Sequence, residues 1–292
     1  MPTSIKVSSI EVSQVDAFTE TPFYGNPAGV VMDAADISSD IRQKIARELN
    51  CSETVFIEQL ETRRFKFRYY TPETEVDLCG HATIAGLHTL QARLGITGEI
   101  VVETLVGGLT MRLEADGTAW MRQADPTFRA LAEDLQRAVV NALQVREEDI
   151  DVALPFQLAY TGLWDILVPL RHLATLQQLA PQFDRLAAIC RQLGAASVHV
   201  YTMETVEQGS TVHARDFSPA VGVNEDPHTG TASGALGALL VHTGVVQPGF
   251  YVFEQGWSVG RPGCILVQVT PDMEVFVGGK AITVFRTQLR TS

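Results

Sequence analysis

The sequence predicts an α+β protein built twice over, each half a strongly bent antiparallel sheet or barrel wrapped around one central helix. Three observations carry this. The segments Leu78-Cys79-Gly80-His81-Ala82-Thr83 and His228-Thr229-Gly230-Thr231-Ala232-Ser233 occupy equivalent places in the two halves, each after acidic residues (Asp77; Glu225 and Asp226) and each opening an Ala-rich apolar helix. Runs rich in β-branched and aromatic residues surround both. The helix from Gly230 is apolar nearly all round, the composition of a helix buried on every side.

In chain order, strands are expected over 10–18, 29–32, 54–58 and 64–70. Ser38 or Ser39 can cap a helix over 40–49, where Ile41, Ile45 and Leu49 recur at helical spacing, and Gly80 opens a second helix carrying Ile84, Leu87 and Leu94. A meander over 99–104, 108–113 and 118–122 follows, with turns at Gly107-Gly108 and Asp116-Gly117. Ala124-Asp125-Pro126-Thr127 punctuates the chain, and helical patterning resumes over 131–143. The second half repeats the plan with strands over 157–160, 165–168, 197–203 and 210–217, helices over 183–193 and 230–241, and strands over 250–254, 264–269, 274–277 and 281–285.

With 292 residues, 46% hydrophobic and 19% charged, the chain has the composition of a soluble globular protein of one large or two medium domains. Its apolar stretches are too short to span a bilayer, so no membrane partner is expected. The first residues lack a basic region followed by an apolar run, and Cys51, Cys79, Cys190 and Cys264 show no CxxC spacing. A reducing, cytoplasmic setting is therefore expected, with neither a disulfide framework nor a metal site. The net charge of −12 argues against nucleic acid as a partner, whereas a small anion can be held by helix N-termini without a basic patch.

The chemistry-bearing residues gather at the two helix starts. The first amides of a helix have no intrahelical partner, and Gly80 and Gly230 lack the side chain that would keep a ligand from them. Either glycine alone reads as turn punctuation; the pairing is what suggests an anion site. Glu53, in Cys51-Ser52-Glu53-Thr54, lies between a helix end and an apolar strand, where partial desolvation suits a carboxyl to proton transfer, although composition alone reads it as a solvated loop residue. Asp226 precedes Pro227 and is either an ordinary acid at a helix start or a second acid/base group. His81, in a first helical turn, should be kept neutral by the helix dipole; the other six histidines show no ligand spacing. Cys79 faces Thr229 across the repeat, so a two-thiol racemase site is incomplete and Cys79 reads as a packing residue.

At these residues the sequence resembles the phenazine-biosynthesis PhzF-like isomerase family, whose relatives by fold include diaminopimelate epimerase and proline racemase. The resemblance runs through Val15-Asp16-Ala17-Phe18, Gly25-Asn26-Pro27-Ala28, Ser52-Glu53-Thr54, Asp77 to Thr83, Glu225 to Ala232, Gly260-Arg261-Pro262 and Gly279-Lys280-Ala281. It implies a diaminopimelate epimerase-like fold of two pseudo-symmetric domains, residues 1–125 with 279–292 and residues 126–278, with the active site in the cleft between them, and a homodimer. It implies catalytic roles for Glu53, His81, Asp226 and Thr231, the last replacing a serine of the phenazine enzyme, with substrate held at Gly80, Ala82, Gly230 and Ala232. The expected activity is cofactor-independent isomerisation of a small carboxylate-bearing metabolite, Glu53 removing and returning a proton. The alternatives are an amino-acid racemase or epimerase and a non-catalytic binding protein of the same fold.

Overall fold

The computed structural model describes residues 9–290 and divides the chain into two compact units, one running to Met121 and resuming at Gly279, the other Arg122–Gly278. In the first unit, strand Ser9–Ala17 lies antiparallel between Asn26–Val31 and Ala281–Arg290. Helix Ser39–Leu49 then carries the chain across to Glu53–Glu61, which runs parallel to Asn26–Val31 and forms a hairpin with Arg64–Tyr70. Helix Gly80–Leu94 makes a second crossover to Gly98–Thr104, parallel to Arg64–Tyr70, before an antiparallel meander through Gly107–Leu113 and Ala119–Arg122.

The second unit repeats this wiring. Thr127–Ala130, Gln157–Tyr160 and Trp164–Pro169 form an antiparallel run, helix Phe183–Leu193 crosses to Ser197–Thr202 parallel to Trp164–Pro169, and Val212–Ser218 pairs antiparallel with Ser197–Thr202. Helix Gly230–His242 crosses to Gly249–Gln255, parallel to Val212–Ser218, and the antiparallel strands Gly263–Val269 and Val275–Gly279 follow before the chain returns to the first unit. Each otherwise antiparallel sheet thus contains two parallel pairs. Parallel neighbours need a crossover of about a dozen residues or more, and the four long crossovers are the helices.

Each crossover at the paired helix starts is approached through a short strand that sequence patterning left unread: Glu75–Val76 against Arg64–Tyr70, and Val223–Asp226 against Val212–Ser218. Other differences are local. Strand Thr127–Ala130 was not expected, the helix expected over 131–143 begins at Glu133, and a short helix, Leu173–Gln177, was not legible. Ser38 takes the N-cap position of Ser39–Leu49 without a side-chain capping bond.

Both central helices are buried, the second as its composition requires. His81–Leu87 and Ala232–Leu240 are each continuously buried. Such close packing explains two glycines: a Cβ on Gly86 would lie 2.8 Å from Phe67 Cε2, and one on Gly237 would lie 2.6 Å from Val267 Cγ1. The other helices cover the opposite sheet faces. Ile45 packs with Val12, Val31 and Phe56 in the first unit, and Val139, Leu143, Leu186 and Cys190 pack with Val198 and Phe217 in the second.

Among those apolar residues of the second unit sits a buried polar knot. Ser197 Oγ lies 2.8 Å from Asp165 Oδ1 and 2.7 Å from Asp216 Oδ2; Asp216 also meets His199 Nδ1 at 3.0 Å and accepts from Ser218 Oγ at 2.7 Å. One hydroxyl hydrogen on Ser197 can serve only one of two carboxyls, so the other must supply a hydrogen of its own. Asp165 does so: burial and the adjacent Asp216 carboxylate hold its pKa well above the ordinary range. A carboxyl whose folded pKa is raised makes the folded state bind the extra proton, so this stability is complete below the unfolded pKa and declines as pH rises towards the folded one. Asp165→Asn, which keeps a neutral donor, should flatten that decline. Denaturant melts in mildly acidic and mildly alkaline buffer will check this, and equal pH dependence in both proteins would refute the assignment.

Candidate active site

Strand Glu53–Glu61 begins one residue after Ser52, so Glu53 stands at the strand's mouth, paired in register with Ala28, its side chain only about one-fifth exposed. Helix Gly80–Leu94 begins beside it. Cys79, extended (φ −144°), is the N-cap and makes no side-chain capping bond, so the amides of Gly80, His81 and Ala82 remain without intrahelical partners. The turn is braced from its buried side: Tyr69 Oη lies 2.7 Å from Thr83 Oγ1, which donates to Cys79 O at 2.7 Å.

His81 is the hub of this cluster. Its Nε2 lies 3.3 Å from Glu53 Oε2 and 3.2 Å from Ser52 Oγ, and its Nδ1 lies 3.4 Å from Cys79 Sγ. Burial pushes the imidazole pKa down, opposed by the Glu53 carboxylate. The ring is therefore neutral, as the sequence suggested, with desolvation as the principal cause. Cys79, expected as a packing residue, has its sulfur beside the acid and the imidazole. Its sulfur, His81 and a Glu53 oxygen all lie within 4.8 Å of one another.

Gly80 has an informative environment. Its φ lies outside the left-handed region, and a Cβ placed on it would meet only Met121 Cε, at an ordinary 3.7 Å. Neither backbone conformation nor packing within the unit demands glycine there, which leaves approach to the helix amides as its physical rationale. Ala82, expected to hold substrate, is fully buried, its amide included.

The second helix start is built differently. Thr229, its N-cap, donates from Oγ1 to Asp226 Oδ2 at 2.6 Å. The buried Gln255 braces the segment, donating to Asp226 O at 2.8 Å and accepting from Thr229 N at 3.1 Å. Asp226 closes strand Val223–Asp226, whose neighbouring Glu225 is gripped by Arg215 through Nε at 2.9 Å and Nη2 at 2.7 Å. Gly230 opens the helix, Ala232 is fully buried, and Thr231 accepts a bond from Thr161 Oγ1 on its carbonyl. The methyl that distinguishes Thr231 from serine points towards Gly162, where a Cβ would be 3.7 Å away.

Register exposes the asymmetry between the halves. Glu53 pairs with Ala28 at the start of the first parallel pair; Ser197 pairs with Asp165 at the start of its counterpart. Glu53 is thus matched by Ser197, and the acid of that register pair in the second unit, Asp165, lies on the other strand. Of the sequence-nominated residues, Glu53, His81, Gly80 and Ala82 surround one helix start and Asp226, Gly230, Thr231 and Ala232 the other. Ser52, Tyr69, Thr83, Arg215 and Gln255 were not nominated; of these, only Ser52, next to Glu53, and Thr83, within the first helix-start motif, carried a sequence signal.

The model of the phenazine biosynthesis-like protein family matches residues 15–287. The chain is 37% identical over 265 residues to the uncharacterized isomerase YfhB of Bacillus subtilis (strain 168), covering 89% of this chain and 90% of that one. It is 32% identical to the trans-2,3-dihydro-3-hydroxyanthranilate isomerase of Pseudomonas chlororaphis over 268 residues, 87% and 88% of the two chains. The crystal structure of a PhzF-family phenazine biosynthesis protein from Bacillus anthracis superposes with a TM-score of 0.89 at 30% identity, covering 97% of this chain and 99% of that one.

Proposed function

We infer what this chain does from one premise: it belongs to the phenazine biosynthesis-like protein family, and it is an isomerase. The reaction we propose is cofactor-independent proton transfer on a small carboxylate-bearing metabolite, in which Glu53 removes a proton from an activated carbon and returns it elsewhere on the same molecule. The observation that carries this reading is the Glu53 Oε2···His81 Nε2 contact of 3.3 Å beside the Gly80 helix start. A carboxylate accepts the proton, a neutral imidazole next to it can donate a hydrogen bond to developing negative charge, and the unpartnered first amides of the helix can hold a substrate carboxylate or an enolate-like oxygen. The Pseudomonas chlororaphis relative is named for a carboxylate-bearing substrate, which supports the same ligand class here.

Asp226 and Thr231 are assigned parts in the reaction from the family resemblance, Asp226 as a second acid and Thr231 as a hydroxyl donor. The thiol racemase reading needs a second cysteine at position 229, and Thr229 instead donates to Asp226. The test is to incubate the protein with pooled small carboxylates in deuterated water and follow label by mass spectrometry. Incorporation at carbon into a subset of them is expected. Carboxylates that bind, as read by calorimetry, but never take up label would make the protein a binder and overturn the isomerase assignment of this site.

A further inference from the structure

We propose that Cys79, His81 and Glu53 form a three-ligand site for a thiophilic divalent cation of the zinc kind, with a fourth coordination position open. The three residues offer one sulfur, one nitrogen and one oxygen, all within 4.8 Å of one another. A tetrahedral zinc ion takes sulfur at about 2.3 Å and nitrogen or oxygen at about 2.0–2.2 Å, which places neighbouring ligand atoms about 3.3–3.6 Å apart. Here Nε2 of His81 lies 3.3 Å from Glu53 Oε2 and 3.9 Å from Cys79 Sγ. The nitrogen–oxygen edge already has the right length; the nitrogen–sulfur edge must shorten by a few tenths of an ångström, and the sulfur–oxygen edge, which lies within 4.8 Å, by up to about an ångström.

Charge and softness select the ion. As the sulfur–metal bond forms, the thiol proton leaves to solvent, and the thiolate with the Glu53 carboxylate then balances a charge of +2. The positive end of the Gly80–Leu94 helix opposes a cation but favours the thiolate that binds it. A thiolate and an imidazole prefer zinc-like ions to magnesium or calcium. Cys79 and Glu53 are only partly buried, giving the ion a way in, and Ser52 Oγ, 3.2 Å from the same His81 nitrogen, is placed to hydrogen-bond a water or a substrate oxygen at the open position. Neither sequence spacing nor the composition of either helix start announces such a site; it exists because a strand mouth and a helix N-terminus converge.

Metal binding stands on this donor geometry alone. Its consequence rests on the proposed function: an ion on Glu53 Oε2 and His81 Nε2 occupies the groups that move the proton, so the site would act as a reversible metal brake. The test uses Co²⁺ as a spectroscopic stand-in, titrated into the full-length protein. A thiolate-to-cobalt charge-transfer band saturating at one equivalent, displaced by Zn²⁺, is expected. Cys79→Ser should abolish the band, Cys264→Ser should leave it, and Glu53→Gln should weaken binding by about tenfold or more; circular dichroism will verify that each variant is folded. No band in the unmodified protein, or a band that survives Cys79→Ser, overturns the site. If Zn²⁺ fills the site and deuterium exchange continues undiminished, the metal site stands and the role assigned to Glu53 fails.

Discussion

Glu53→Gln is expected to lower deuterium exchange into a true substrate by about 10²–10⁴-fold, the usual range for losing a general acid/base group. Glutamine keeps the size of the side chain and a hydrogen-bonding oxygen but cannot accept the proton. Because Glu53 contacts His81 at the edge of the cluster, with the brace from Tyr69 through Thr83 to Cys79 lying elsewhere, the helix start should survive the change. Substrate affinity measured by calorimetry should therefore stay within a few-fold, and the loss should appear in turnover. Exchange within tenfold of the unmodified protein would remove Glu53 from the chemistry, whatever happened to affinity.

Arg215→Met should cost about 3–5 kcal/mol of stability, the range for breaking one side of a buried ion pair. The guanidinium makes a two-point bond to Glu225 and donates from Nη1 to the carbonyls of Leu176, Gln177 and Leu179 around the end of helix Leu173–Gln177. Its face also stacks over Phe217, 5.0 Å from the ring centre. Methionine fills the space but leaves Glu225 charged and desolvated beside Asp226. The double variant Arg215→Met/Glu225→Leu removes that orphaned charge and should recover much of the loss, since an apolar pair can replace a buried ion pair with little penalty. Denaturant unfolding of the single and double variants checks this. A double variant no more stable than the single one would show that the carbonyl contacts, and not the stranded carboxylate, set the cost.

Much of the fold was legible because it rests on local signals. The paired glycine-led helix starts, the apolar Gly230–His242 helix and the β-branched runs are written in neighbouring residues, and family resemblance at the same positions named Glu53, His81, Asp226 and Thr231. What escaped was short or depended on partners far along the chain. Glu75–Val76 has two residues and Val223–Asp226 four, too few for periodicity to register. Tyr69, Gln255 and Arg215 sit in strands where nothing adjacent marks them as braces for helix-start residues 14 to 29 positions away or for an acid on the next strand.

The sequence by itself determined that the chain is a duplicated α+β protein, that its two central helices are buried, and that acids and glycines stand at both helix starts. These follow from hydrophobic pattern, backbone preference and the unpaired amides of a helix end, all local physics. Only the tertiary structure decided which side chains meet at each helix start. Convergence of a strand mouth and a helix start made Glu53, His81 and Cys79 one cluster, turned an apparent packing cysteine into a neighbour of the acid, and made desolvation the main cause of the neutral histidine. Those outcomes depend on distances between residues far apart in sequence, and burial and charge act through distance.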